Sequence, residues 1–189
     1  MIGEDTVEEN IIELNTKADL EIYMSPVRQQ LLRRMNLSGS PQTPKALSLA
    51  LGISPSSVQH HLKKLLSLGL VKVDHTELIN GITATYYAPT DVTVRLGMGR
   101  QDLRNEREAL VFQLIQDTVQ GYFEAVRRAG TDWDLTSGDA ALGVAYLTAE
   151  DWAGFQAYYR RFLEDHKRPA PGAAPWELAL VAYDAGGRP

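Results

Sequence analysis

The sequence predicts a mainly α-helical chain with a small β component, and three observations carry that reading. Between residues 25 and 69, three short segments with helical apolar periodicity each open on Ser-Pro or Thr-Pro and run out at or beside a glycine. Two alternating runs then flank Asn80-Gly81, and from residue 100 to 129 a long apolar stripe recurs at helical spacing. A small α/β module is expected to close the chain, since strand-like and helix-like patterns alternate beyond residue 131.

Ser25-Pro26 opens the first of the three helices. A Ser oxygen can accept from the free amides of a first turn, and proline is tolerated there because its missing N–H has no intrahelical partner anyway. Val27, Leu31, Leu32 and Met35 form the inward stripe, which stops at the cluster Ser38-Gly39-Ser40-Pro41. Thr43-Pro44 repeats the device, with Leu47, Ala50 and Leu51 facing inward before Gly52. Ser54-Pro55 opens the third helix, whose Val58, Leu62, Leu65 and Leu66 lie on one side and which Gly69 ends. The connection Leu51-Gly52-Ile53-Ser54 has the length of a helix-turn-helix corner. Val71 and Val73, and later Ile82, Ala84 and Tyr86, alternate with polar residues around Asn80-Gly81, a pair suited to the positive φ of a tight hairpin turn. Three capped helices followed by a hairpin, in that order, make a winged helix-turn-helix.

The long stripe, Leu103, Leu110, Leu114, Ile115, Val119, Tyr122 and Val126, predicts a helix over 100–129 with Gly130 past its end. It is longer than a module of this size can cover, so Leu103, Leu110, Leu114 and Tyr122 are expected at a dimer interface. Ala141 to Leu147 alternates like a strand. Thr148, with Asp151 three residues on, starts a helix that runs to about His166, and Trp176 to Tyr183 reads as a final strand. The organisation expected is an arm (1–19), a winged helix-turn-helix (20–95), a long dimerisation helix (100–130) and a small α/β module (131–189). Residues 1–10 and 185–189 are expected to be loose.

Composition narrows the chemistry. No run of the 189 residues approaches the roughly 20 apolar residues of a membrane span, and the acidic start does not resemble a signal peptide, so a cytoplasmic protein is expected. The absence of cysteine removes disulfides, thiolate metal sites and cysteine nucleophiles. The net charge of −5 is unevenly spread: residues 1–19 hold six acids against one lysine, whereas residues 20–88 hold seven Lys and Arg against three acids. The one positive stretch coincides with the helix-turn-helix pattern.

On a helical wheel the third helix sets Val58, Leu62 and Leu65 against a polar face containing Ser56, His60, Lys63 and Lys64. Ser and Gln can bond base edges or phosphates, His can bond guanine N7, and Lys neutralises the backbone. Ser54, Ser56, Ser57, Gln59, His60, Lys63 and Lys64 are therefore the candidate DNA contacts, joined by Lys45 at the start of the preceding helix. Arg28, Arg33 and Arg34 are further candidate cations. His61, at the edge of the apolar stripe, reads as structural. The wing tip from Leu78 to Thr83 has no Lys or Arg for a minor groove and looks more like a packing surface.

The sequence contains no nucleophile elbow, phosphate loop or HExxH-type pair. No catalytic residue, metal ligand or cofactor is expected, and the chain does not read as an enzyme. Twelve of the fifteen aromatic residues fall after residue 100, where they can serve as core, as dimer contacts or as the lining of a ligand pocket.

Ser25-Pro26-Val27-Arg28-Gln29-Gln30-Leu31-Leu32, the stretch from Leu51 through His60-His61-Leu62-Lys63-Lys64-Leu65, and Gly69-Leu70-Val71 resemble the ArsR-like winged-helix regulators. Ile79-Asn80-Gly81-Ile82, continuing to Tyr86-Tyr87-Ala88-Pro89, resembles the wing of a subgroup with an extended C-terminal region. The resemblance covers roughly residues 18–95 and implies a homodimeric transcriptional repressor. Metal-sensing relatives use cysteines or His/Asp clusters that this sequence lacks, so metal sensing does not carry over. The partners expected are double-stranded DNA, a second copy of the chain and a small-molecule effector in the C-terminal module, with no membrane. The alternative is a protein-interaction module on a winged-helix scaffold without DNA binding, and the third reading is an enzyme with an appended winged helix.

Overall fold

The computed structural model describes residues 10–187, so the expected looseness of 1–9 and 188–189 lies outside the described residues. The described chain forms two compact units divided between Val111 and Phe112. It is mainly α-helical with small sheets.

In the first unit β1 (Ile11–Glu13) leads into α1 (Lys17–Tyr23). Thr16 Oγ1 accepts from the Asp19 amide at 3.1 Å, and the Asp19 carboxylate accepts back from the Thr16 amide at 2.9 Å, which holds the Asp19 carboxyl below its usual pKa. Then follow α2 (Pro26–Ser38), α3 (Pro44–Leu51) and α4 (Pro55–Ser67), all three opening on the predicted prolines. Thr43 and Ser54 cap through their hydroxyls, whereas Ser25 occupies the cap position without a side-chain hydrogen bond.

The hairpin β2 (Val71–Ile79) and β3 (Ile82–Pro89) turns at Asn80 (φ 50°) and Gly81 (φ 79°), pairing Ile79 with Ile82. Both turn residues sit in the left-handed region, as the predicted tight turn requires. Gln42, between α2 and α3, exchanges both backbone hydrogen bonds with Tyr87, fastening the helices to the wing. The core joins Leu31 and Met35 of α2, Leu47 of α3, and Val58, Leu62 and Leu65 of α4 to Leu70 and Val71.

Two features were not anticipated. β1 pairs in parallel with β4 (Thr93–Arg95), so part of the expected arm belongs to the folded unit. In addition, α5 spans Arg104–Ala129, and Leu103 precedes it with φ 54° rather than lying within a helix that begins at 100.

The second unit contains the rest of α5, a short 3-10 turn and α6 (Ala149–Asp165). α6 starts at the predicted capping box of Thr148 and Asp151. The segments 141–147 and 176–183, expected as strands, carry no strand assignment. Alternation of apolar residues predicts a surface with one apolar side, but a ladder also needs a neighbour, and neither segment has one among the described residues. None of residues 112–187 is buried, although Leu142, Tyr146 and Tyr183 are large and apolar.

Candidate nucleic-acid interface

α4 carries most of the candidate contacts. Its inner face is fixed by Val58, Leu62 and Leu65, each at most 1% exposed, so the helix cannot rotate without emptying the core. That constraint leaves Ser56, Gln59, His60, Lys63 and Lys64 exposed on the opposite side. The structure brings these five residues onto one surface of one helix.

The serines are less free. Ser54 Oγ accepts from the Ser57 amide at 3.2 Å and lies 3.0 Å from Ser56 Oγ, so Ser54 is engaged in starting the helix. Ser57 is half-buried. Lys45 is exposed in the first turn of α3, apart from the α4 row.

His61 is half-buried, with its Nδ1 3.3 Å from Arg28 Nη1. Burial, then the Arg28 charge, then His60, push its pKa below the ordinary value, so at neutral pH the ring accepts from the guanidinium. Arg28 also donates to the carbonyls of Glu21 and Ile22 at the end of α1. Arg28 is therefore a joint between α1, α2 and α4 rather than a cation free for phosphate, which changes the expectation set by its sequence position.

The wing presents Leu78 (72% exposed) and Ile82 (73% exposed) at its tip. Nearer its base, His75 stacks on Tyr86 with ring centres 4.3 Å apart, and the Tyr86 hydroxyl donates to Glu77 at 3.1 Å. This cluster had no sequence signal, because the strand register that opposes His75 and Tyr86 includes a bulge after Val73.

Residues 23–74 match the model of a protein family described as a helix-turn-helix domain. The matched residues include α3, the turn at Gly52 and α4, which form a helix-turn-helix in the structure. The hairpin that follows makes it a winged one. Among solved structures the chain is similar to the adhesin competence repressor (AdcR) of Streptococcus pyogenes, at 15% identity, covering 75% of this chain and 81% of that one with a TM-score of 0.31. It is also similar to the heme sensor protein PefR of Streptococcus agalactiae, solved in complex with heme, at 13% identity, covering 79% and 78% with a TM-score of 0.33. No curated protein matches the chain. Among the described residues, no group of three or more His, Asp or Glu gathers as a metal site, and no helix is long and apolar enough to cross a membrane.

The predicted interface residues of the long helix are placed differently from one another. Leu110 is fully buried within the first unit, Leu114 is half-buried, and Tyr122 packs edge-on against Trp133 at 5.4 Å. Phe112, Val119 and Phe123 are the large apolar residues of α5 that stand exposed.

Proposed function

We propose that the chain is a cytoplasmic, sequence-specific DNA-binding transcription regulator that acts as a homodimeric repressor and has no catalytic role. The observation that carries the reading is the α4 surface, where Gln59, His60 and Lys63 stand exposed together above a helix face locked into the core. The winged helix-turn-helix reads one half-site, with α4 in the major groove and Lys45 and Lys64 on phosphates. Ser56 and Ser57 supply polar contacts at the N-terminal end of α4, and Ser54 contributes by holding that end in place.

A second copy supplies the other half-site, since a symmetric pair of reading helices doubles the contact area and matches a palindromic operator. Phe112, Val119 and Phe123 recur along one flank of α5 and stand 46–69% exposed. None of the described residues of the second unit is buried, which favours a shared interior. The C-terminal unit is the place for an effector.

Selection from random duplex DNA at stated salt, followed by titration of the selected sequence, tests the reading. Enrichment of a palindrome with salt-dependent affinity is expected. A flat selection with no salt dependence favours the second reading, a protein-interaction module, which the exposed apolar wing tip Leu78, Ile79 and Ile82 would serve.

A further inference from the structure

We propose that the second unit holds a binding site for a small aromatic carboxylate, between α6 and the segment that carries Leu180 and Ala182. A cavity of about 230 Å³ opens there, lined by Trp152, Gln156, Tyr159, Arg160, Leu180 and Ala182. Trp152, Gln156 and Tyr159 follow one another up one face of α6, and Leu180 and Ala182 alternate on the facing segment. All six residues belong to the same unit.

The lining selects its ligand by chemistry. Indole and phenol rings with a leucine methyl group offer flat apolar walls, which favour a planar ring. The lining also offers donors, the Trp152 indole N–H and the Arg160 guanidinium, beside Gln156 and Tyr159, which can both donate and accept. Arg160 is the only charged residue of the lining, and it has no hydrogen bond or ion pair among the described residues. Its acidic neighbours on α6 are engaged elsewhere: Asp165 pairs with Arg161 at 3.8 Å, and Glu164 pairs with Lys167. A planar fork of free donors beside aromatic walls suits a carboxylate attached to a ring, held bidentately with the ring against Trp152 and Tyr159. The volume lies below the roughly 300–1,000 Å³ of drug-sized sites, so the ligand is a single or fused-bicyclic ring.

The assignment depends on the regulator reading for its consequence, an effect on DNA affinity, and not for binding itself. Calorimetric titration of the full-length protein with 2-naphthoate and with neutral 2-naphthamide tests it. Naphthoate should bind saturably, with the amide about tenfold weaker or more, the loss expected for one charge-assisted contact. Arg160→Gln should lower naphthoate affinity to the level of the amide, and Arg160→Lys should recover part of it. Arg160 is exposed, so both variants should keep the parent circular dichroism spectrum. Equal affinity for the two probes, or unaltered naphthoate binding by Arg160→Gln, overturns the site. If naphthoate binds as described but leaves affinity for the selected DNA sequence unchanged, the site stands and its effector role is overturned. If naphthoate does not bind while DNA affinity is intact, the site is overturned and the DNA-binding reading survives.

Discussion

Gln59, His60 and Lys63 share one exposed face of α4, yet they should act by different physics. If Lys63 meets phosphate as proposed, Lys63→Ala should lower affinity for all sequences and flatten the dependence on salt, as fewer counterions are released. If Gln59 and His60 meet base edges as proposed, Gln59→Ala or His60→Ala should cost about 1–3 kcal/mol on the preferred site while non-specific binding barely moves. Titrations of preferred and scrambled duplexes at two salt concentrations separate these outcomes; parent-like binding by all three variants would leave α4 without a reading role. Val58→Asp should unfold the module instead, because Val58 is fully buried. The neighbouring His61 gives a pH prediction. Its folded pKa lies below the ordinary value of 6.5, so just below that pH the unfolded chain binds the extra proton. Stability is then full above about pH 6.5 and falls as pH is lowered through that window. Thermal melts from about pH 7.5 to 5.5 should show a steeper loss for the parent than for His61→Gln, which keeps an acceptor for Arg28 without titrating. Parallel losses would remove His61 as the cause.

At the scale of elements, one buried cation ties together segments that are distant in sequence. Arg107 of α5 is 1% exposed. It donates to the carbonyl of Leu14 after β1 at 3.0 Å, to that of Asp102 at 3.2 Å, and to that of Leu96 after β4. An added Cβ on Gly97 (φ +63°) would stand 3.1 Å from the guanidinium, so that turn is built around it. Arg107→Met should cost about 2–4 kcal/mol, because it strands carbonyl acceptors that water reaches poorly. Arg107→Lys should recover little, since one ammonium cannot span three separate carbonyls. Urea melts, with amide exchange at Thr93 to report on β1–β4, would check this, and an unchanged midpoint would reduce Arg107 to a bystander. None of this was legible in the sequence: an arginine in an amphipathic helix ordinarily reads as surface, and the pairing of Ile12 with Val94 joins residues too far apart for local pattern to reveal. By contrast α2, α3, α4 and the Asn80-Gly81 hairpin were legible, because proline-linked caps and positive-φ turns are local signals. The exposed face of α4 followed from the same periodicity. The engagement of Ser54 and Arg28 did not, since a hydroxyl or guanidinium reads alike whether it faces solvent or a neighbour.

For the whole molecule, the contrast between the two units matters most. The first has a continuous core from Leu31 to Val71, whereas the second places twelve of the chain's fifteen aromatics after residue 100 without burying one of them. Burial of apolar surface is what offsets the entropy of ordering a chain, at roughly 25 cal/mol per Å², so a unit without an interior draws its stability from a further surface. The strand-like segments 141–147 and 176–183 point the same way, because alternation without a ladder leaves their apolar side chains facing solvent. In the homodimer proposed above, a second copy would meet these needs through the exposed flank of α5. Phe112→Asp combined with Phe123→Asp should therefore yield a monomer by sedimentation equilibrium, while the circular dichroism of the winged helix is retained. Both positions are exposed in the single chain, so the substitutions leave its own core intact. Leu110→Asp should behave differently, destabilising the first unit itself, because that side chain is buried within it. The monomer should also lose most of its affinity for a palindromic site while keeping a weak, salt-sensitive affinity for a half-site, since each protomer retains its own α4. A double variant that still sediments as the parent dimer would move the interface off this flank of α5.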